Sequence, residues 1–123
     1  MPRDIKRSLP DRQKLVDFLN ENPGIIFIKF GAEWCAPCKK IENFIEERFN
    51  KFENHIQCAI IDIDECFDVY AYLKSKKIVT SIPSIVCYIK GNVSYVPDEV
   101  ICNSNTNEIE VFFERSYELY NQL

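Results

Sequence analysis

The sequence predicts a single α/β domain over residues 1–123, built as a three-layer α/β/α sandwich with a central mixed sheet. The first observation is the length, because 123 residues is the size of one domain. The second is that strand-like apolar runs alternate with segments of helical periodicity, which predicts parallel strands connected by helices. The third is a hairpin signal before the last helical segment, which predicts antiparallel strands at the end of the sheet.

The first half of the chain is predicted to hold two helices and two main strands. A short strand around Ile5 precedes a helix that opens at Pro10, where proline and aspartate mark a helix start. The run 25–30 is almost entirely β-branched or aromatic, which is typical of a central strand covered on both faces. An amphipathic helix follows from Cys38, and 56–63 is predicted as the next strand.

The second half is predicted to close the sandwich with a hairpin and a helix. A short helix over 67–75 leads to a strand over 85–89. A glycine-asparagine turn then connects this strand to a partner over 93–96. The final helix carries a capping pair, for which the Asn-x-x-Glu spacing indicates Asn107 and Glu110.

Composition and charge argue against nucleic acids and membranes as partners. The chain has 15 basic and 19 acidic residues and a net charge of -4, so it has no cationic surplus to neutralise phosphates. The longest apolar stretch, 25–30, is interrupted by Lys29. It is far shorter than the roughly 20 residues that cross a bilayer. We therefore predict neither a nucleic-acid partner nor a membrane partner.

The cysteine content points to cysteine chemistry rather than to a framework of structural disulfides. Six cysteines would suit a small secreted domain, but 46% of the residues are hydrophobic and can form a core without cross-links. The first residues are charged and lack the apolar stretch of a secretory signal. The sequence therefore predicts a cytoplasmic protein with reactive thiols.

The segment Trp-Cys-Ala-Pro-Cys-Lys, residues 34–39, follows the central strand and opens the long amphipathic helix. At a helix amino terminus, unpaired N–H groups and the helix dipole favour an anion. The pKa of the Cys35 thiol should therefore lie below the usual value of about 8.5. Pro37 fits the first helical turn, where no hydrogen bond is lost, and stiffens the segment. Cys38 is then the buried, resolving thiol.

This motif, the order of elements and an Ile-Pro pair before a later strand resemble the thioredoxin family. The resemblance implies the thioredoxin fold. It further implies that Pro83 is a cis proline packed against the active disulfide, and that the Ile82 backbone pairs with substrate. Trp34 would be a half-exposed apolar cover over the disulfide and part of the substrate-binding surface.

The resemblance implies a protein disulfide reductase that uses a reversible Cys35–Cys38 disulfide. Its partners would be disulfide-containing protein substrates and a reductase that resembles thioredoxin reductase and draws on NADPH. We expect no bound cofactor and a monomeric protein. The single histidine, His55, has Cys58 three residues on, but a zinc site needs four ligands in paired spacings, so we predict no metal site.

Lys29 departs from the family pattern, which places a buried aspartate six residues before the first cysteine. The lysine that usually faces this aspartate from the neighbouring strand is replaced by Ile60. If Lys29 lies beneath the helix, its ammonium would stabilise the Cys38 thiolate, or its neutral amine would act as a base. Alternatively, the long side chain extends past the strand end into water.

Two further cysteines are candidates for regulation. Cys66 resembles a non-catalytic cysteine of animal thioredoxins that can be oxidised, although a small buried apolar residue at a helix start explains it as well. Cys102 would stand near the active disulfide if the hairpin is lengthened, where it would provide a third thiol. The cysteines inside strands are predicted to be inert core residues: Cys58 and Cys87.

Two other functions remain open at this stage. A thioredoxin-fold binding module would use the sheet and groove to dock a partner, but such a module does not need the Cys35 and Cys38 pair. A more oxidising oxidase or isomerase is the other alternative, because the residues between the cysteines, Ala36 and Pro37, tune the reduction potential.

Overall fold

The computed structural model describes residues 2–123, and within them the chain forms four helices and four strands. In chain order they are α1 (Arg12–Asn20), β1 (Ile25–Gly31), α2 (Ala36–Lys51), β2 (Ile56–Asp62), α3 (Phe67–Ser75), β3 (Ser84–Ile89), β4 (Glu99–Ile101) and α4 (Thr106–Asn121). In the described part of the chain, no helix is both long enough and apolar enough to cross a membrane.

The four strands form one mixed sheet in the order β2-β1-β3-β4. β1 runs parallel to β2 and antiparallel to β3, and β3 runs antiparallel to β4. β1 is flanked on both sides and all its residues are buried, as its continuous apolar run predicts. The predicted change from parallel to antiparallel pairing along the chain is confirmed.

Two apolar clusters lie on opposite faces of this sheet. Helices α1 and α3 contribute Leu15, Leu19 and Val69 to one cluster. Helices α2 and α4 contribute to the other, where Phe27 of β1 is surrounded by rings from both helices. The three-layer α/β/α sandwich is therefore confirmed.

Side chains fix where two helices begin. The Asp11 carboxylate accepts a hydrogen bond from the Lys14 backbone N–H at 2.9 Å, so α1 starts directly after the predicted proline-aspartate signal. Helix α2 starts at Ala36, two residues before the predicted start at Cys38, because Cys35 itself is the N-cap. The motif therefore contains the first helical turn.

The prediction of a strand over 93–96 is wrong, because these residues form a loop and β4 begins only at Glu99. The Asn92 side chain accepts from the Ser94 backbone N–H at 3.0 Å and donates to the Val96 carbonyl at 2.9 Å. Asp98 closes the loop, since its carboxylate accepts from the Ile89 N–H at 2.8 Å. These side-chain hydrogen bonds satisfy backbone N–H and C=O groups in and beside the loop, so the loop needs no strand partner.

The predicted capping pair of the last helix is also wrong, by two residues. Asn105 caps α4 and accepts from the Glu108 backbone N–H at 3.1 Å. The Asn-x-x-Glu spacing occurs twice in succession, at 105 and at 107. Glu110, the acidic member of the predicted pair, instead accepts from Arg48 of α2 at 2.6 Å, so a contact between helices decides which spacing is used.

The predicted strand around Ile5 is reduced to a single parallel bridge between Lys6 and Ala59. The Lys6 N–H donates to the Cys58 carbonyl, and the Ile60 N–H donates to the Lys6 carbonyl, both at 2.9 Å. These bonds cover part of the exposed edge of β2. The segment before α1 is thereby fixed beside the sheet.

Candidate active site

A disulfide between Cys35 and Cys38 lies where β1 passes into α2. Because Cys35 is the N-cap, its Sγ accepts from the Cys38 backbone N–H at 3.2 Å. Pro37 occupies the first helical turn, where its missing N–H removes no helical hydrogen bond. Once the disulfide is opened, the same N–H group and the helix dipole would stabilise a thiolate on Cys35.

The two sulfur atoms of the disulfide face different surroundings, although Cys35 is only 5% exposed and Cys38 only 3%. The Cys35 Sγ lies 3.9 Å from the carbonyl oxygen of Ile82, at the surface loop before β3. The Cys38 Sγ lies beneath the first turn of α2, against Gly31 of β1. Cys35 therefore faces the loop before β3, and Cys38 faces the sheet.

The loop before β3 supplies the wall beside Cys35. The peptide bond between Ile82 and Pro83 is cis. Pro83 is buried and Ile82 is half-buried and packs against the cluster that contains both cysteines. The structure thus brings together Cys35, Ile82 and Pro83, which the resemblance to the family assigned to one site.

Trp34 is 68% exposed, more than the half-exposed cover that the sequence predicts. Its indole Nε1 donates to the Asp64 carboxylate at 2.8 Å, and Asp64 belongs to the turn after β2. The sequence analysis did not identify Asp64. The available signal was its place just beyond β2, because the carboxyl ends of parallel strands meet at one edge of the sheet.

Lys29 lies beneath α2 rather than extending into water. It is 6% exposed and pairs with Ile60 in the register of β1 and β2. A Cβ placed on Gly31 would lie 3.2 Å from the Lys29 Nζ and 3.4 Å from the Cys38 Sγ. The ammonium and the buried sulfur therefore flank the same glycine.

Gly31 is a site residue that the sequence analysis missed. Its lack of a side chain leaves the space into which the Lys29 Nζ and the Cys38 Sγ both extend. A glycine at the end of an otherwise bulky strand was the available signal, since such glycines mark close approaches.

A pocket of about 210 Å³ opens beside this glycine and reaches Lys29 and Cys38. Burial lowers the pKa of Lys29, the Glu42 and Glu46 carboxylates oppose that shift, and Lys39 adds slightly to it. Arg7 forms a bidentate pair with Glu46 at 2.7 and 3.1 Å, which raises the pKa of Arg7 and lowers that of Glu46. The pocket is therefore lined by charged side chains that surround the buried Lys29 ammonium.

The two candidate regulatory cysteines both belong to or pack against the apolar cluster that contains the disulfide, and neither forms a disulfide itself. Cys66 is the N-cap of α3, is buried, and lies 3.7 Å from the Ser8 hydroxyl. Cys102 is half-buried, directly follows β4, and packs against the cluster that contains the active disulfide. A regulatory role for either cysteine stays a prediction.

The cysteines inside strands are buried away from this site. Burial raises the pKa of Cys58 well above its usual value and that of Cys87 to about 12. Between residues 2 and 123, no three metal-ligating side chains are grouped closely enough to hold an ion. His55 instead stacks on the ring of Tyr120 at 5.4 Å.

Comparison with known protein families agrees with this geometry. The family model described as thioredoxin matches residues 10–115. The chain belongs to the thioredoxin family. The match covers the described fold from the start of α1 to within α4, so family membership rests on the whole domain and not on the Cys-x-x-Cys motif alone.

Individual thioredoxins show moderate similarity. Thioredoxin 3 of Plasmodium falciparum is 30% identical over 90 residues, which cover 73% of this chain and 47% of that protein. Mouse thioredoxin is 33% identical over 67 residues, which cover 54% of this chain and 59% of that protein. The matched region thus spans about half the length of these curated relatives.

Solved thioredoxin structures share the fold. A crystal structure of Plasmodium falciparum thioredoxin superposes with a TM-score of 0.70 at 24% identity, covering 94% of this chain and 92% of that one. Fasciola hepatica thioredoxin superposes with a TM-score of 0.73 at 22% identity, covering 91% and 99%. At these identities the likeness shows the thioredoxin fold.

Proposed function

We propose that this thioredoxin-family chain is a thiol–disulfide oxidoreductase that works as a protein disulfide reductase. The observation that carries the proposal is the placement of the Cys35–Cys38 disulfide at the amino terminus of α2. There the Cys38 N–H already points at the Cys35 Sγ, and the Ile82 carbonyl and the exposed Trp34 lie beside it.

The reaction follows from the different surroundings of the two thiols. In the reduced protein the Cys35 thiolate attacks a substrate disulfide, forms a mixed disulfide and releases one substrate sulfur as a thiolate. The Cys38 thiolate then attacks the Cys35 Sγ, restores the internal disulfide and releases the second substrate sulfur. The electron pair has moved from the protein to the substrate, whose released thiolates take protons from water.

The substrate-binding surface consists of the exposed face beside Cys35. Trp34 offers an apolar ring whose orientation is fixed by Asp64. The loop of Ile82 and Pro83 offers backbone groups next to the reactive sulfur. These features suit an extended segment of a disulfide-containing protein.

A separate electron donor must reduce the disulfide again, because the reaction leaves the protein oxidised. The family resemblance favours an NADPH-dependent flavoprotein reductase as this donor, with no cofactor resident on the chain itself. A reducing compartment such as the cytoplasm is where a protein disulfide reductase operates.

The proposal is tested by the reduction of insulin disulfides with dithiothreitol as the electron source. The wild-type chain should accelerate the reduction, Cys35→Ser should abolish the acceleration, and Cys38→Ser should accumulate a mixed disulfide detectable by mass spectrometry. Cys58→Ala is the matched control, because it removes a buried cysteine away from the site. Equal rates with wild type and Cys35→Ser would refute the proposal.

A more oxidising activity is the second candidate, favoured by the buried cation beneath Cys38. A cation there favours the reduced, thiolate-bearing form of the protein. A reduction potential well below that of the glutathione pool would support the reductase, and one well above it would support an oxidase or isomerase. Equilibration in graded glutathione buffers measures this potential.

A further inference from the structure

Lys29 is a buried cation without an ion-pair partner. It is 6% exposed, and no carboxylate in residues 2–123 lies within 4.0 Å of its Nζ. An isolated buried charge is costly unless another charge or a hydrogen bond compensates it. The Lys29 Nζ is not sealed in the core but borders the pocket beside Gly31, where water or a charge formed in the pocket can compensate it.

The charged groups that face Lys29 are largely committed to other partners. From α2, Lys39 pairs with Glu33 at 2.7 Å and lies 3.9 Å from Glu42. From the segment before α1, Arg7 holds the Glu46 carboxylate. The remaining charged groups line the pocket from the end of β2 and the turn after it, namely Asp62 and Glu65.

The Cys38 Sγ is the group that gains a charge when the disulfide opens. The Cys38 Sγ lies 3.4 Å, and the Lys29 Nζ 3.2 Å, from the position that a Cβ would take on Gly31. No side chain separates them at this glycine. The unpaired cation thus has a neighbour that becomes an anion only in the reduced protein.

We propose that the Lys29 ammonium is the charge partner of the Cys38 thiolate and sets the reduction potential of the disulfide. This inference rests on the proposed function, because it concerns the resolving step of the same reaction. It assigns to a cation the position at which the thioredoxin pattern has a carboxylate. The sign of the electrostatic effect on Cys38 is therefore reversed.

The resolving step can be written with its charges balanced. The Cys38 thiol loses its proton to water in the pocket, and the thiolate forms beside the Lys29 ammonium. The thiolate attacks the Cys35 Sγ, the bond between Cys35 and the substrate sulfur breaks, and the internal disulfide forms. The substrate sulfur leaves with the electron pair and takes a proton from water, so Lys29 keeps its charge throughout.

This arrangement also predicts how the two groups titrate. In the oxidised protein, burial lowers the pKa of Lys29. In the reduced protein the neighbouring thiolate favours the ammonium, and the ammonium favours the thiolate, by the same coupling free energy. Lys29 should therefore lower the pKa of Cys38, in the pH range below the pKa of Lys29.

The test compares Lys29→Met with wild type by measuring the reduction potential of the disulfide across the pH range in which the thiols titrate. Dithiothreitol redox buffers set the potential, and alkylation followed by mass spectrometry counts the thiols. A plot of the reduction potential against pH changes slope at the pKa of Cys38, and this change of slope is called the Cys38 break. In Lys29→Met the Cys38 break should move upward by about one pH unit, which makes the Cys38 thiol a tenfold weaker acid. Above that break the potential should be more negative by about 30 mV, the equivalent of a tenfold change in equilibrium constant.

Three further variants separate charge from packing. Lys29→Arg keeps the charge and should retain the wild-type break. Lys29→Gln replaces Lys29→Met if the latter does not fold. Lys40→Met removes the same charge from an exposed position on α2 and should leave the break in place.

The outcomes distinguish this inference from the function on which it rests. If the wild-type protein shows no reversible equilibrium between dithiol and disulfide, the proposed function fails. If the wild-type dithiol and disulfide equilibrate but the Cys38 break lies at the same pH in Lys29→Met as in wild type, only the role of Lys29 is overturned. A shift shared by Lys40→Met, or equally large in Lys29→Arg, would also overturn it.

Discussion

Phe27 and Lys29 lie two positions apart on β1, on the same face of the sheet, and have opposite surroundings. Phe27 is fully buried and packs against four phenylalanine rings, with centroid distances of 5.0 to 6.4 Å. Lys29 is almost as buried but borders a pocket of about 210 Å³ lined by charged groups. Phe27 thus stabilises the core by ring packing, whereas Lys29, nearer the end of the strand, places a destabilising charge next to the Cys38 sulfur.

The difference shows how a small domain accommodates a functional site. Clustered aromatic rings add stability beyond the area they bury, whereas an unpaired buried ammonium reduces it. Because both lie on one strand, the aromatic end can hold β1 in place while the other end presents Lys29 and Gly31 to Cys38. The comparison predicts that mutations at the two ends will separate stability from redox chemistry.

The largest expected effect is at the aromatic end. Phe27→Ala should lower the free energy of unfolding by about 3–5 kcal/mol, because it leaves a cavity among several rings. Urea denaturation of the oxidised protein measures this loss. The reduction potential of the folded fraction should stay at the wild-type value, and a shift comparable to that of Lys29→Met would break the proposed separation.

At the charged end, Lys29→Met should increase the free energy of unfolding of the oxidised protein by about 1–2 kcal/mol near neutral pH, since it removes an uncompensated charge. Because burial lowers the pKa of Lys29, the unfolded chain binds more protons between the folded pKa and the ordinary value of 10.5. The stability of wild type should therefore rise relative to Lys29→Met across that range.

Urea titrations of both proteins at several pH values test this expectation. Buried tyrosines and cysteines also titrate in this pH range, but they contribute equally to the free energy of unfolding of both proteins, so their contribution cancels in the difference. Lys40→Met serves as the control, because its exposed charge should leave the difference flat. A stability gap that does not narrow as the pH rises would show that folding leaves the pKa of Lys29 unchanged, and therefore that its charge is not destabilising in the oxidised protein.

A smaller effect is expected at the glycine between the two groups. In Gly31→Ala, the new methyl group would lie 3.2 Å from the Lys29 Nζ and should displace the end of that flexible side chain. We expect a loss of stability of about 1 kcal/mol and a shift of the Cys38 break toward that of Lys29→Met. An unchanged break with the same loss of stability would show that the ammonium does not need to lie beside Gly31.

The smallest effect is expected outside β1. Asp64→Ala removes the acceptor of the Trp34 indole and should change the free energy of unfolding by less than about 0.5 kcal/mol. With insulin as substrate, KM should rise by roughly two- to fivefold while the reduction potential stays constant, because only the substrate-facing ring is released. A change in potential would place Asp64 in the redox machinery instead.

The elements that local sequence determines were predicted well. The apolar run of β1 and the start of α1 after Pro10 depend on neighbouring residues alone. The N-cap position of Cys35 follows from the motif and its place between a strand and a helix. These features need no knowledge of distant contacts.

The errors arose where distant side chains choose between local alternatives. The loop over 93–96 is held by Asn92 and Asp98, and the start of α4 depends on which of two identical spacings leaves Glu110 free for Arg48. For Lys29 the sequence left two orientations open, beneath the helix or past the strand end into water, because the space beneath α2 exists only once Gly31 and Cys38 face each other.

The Arg7–Glu46 pair makes the segment before α1 an electrostatic shield for the disulfide. Arg7 holds the Glu46 carboxylate through two hydrogen bonds, and its positive charge offsets the attraction between that carboxylate and the Lys29 ammonium. Proteolytic trimming of this segment, or a fusion that displaces it, would free that carboxylate to attract Lys29. The redox behaviour of a thiol in the middle of the fold would then depend on whether the chain's first few residues are intact.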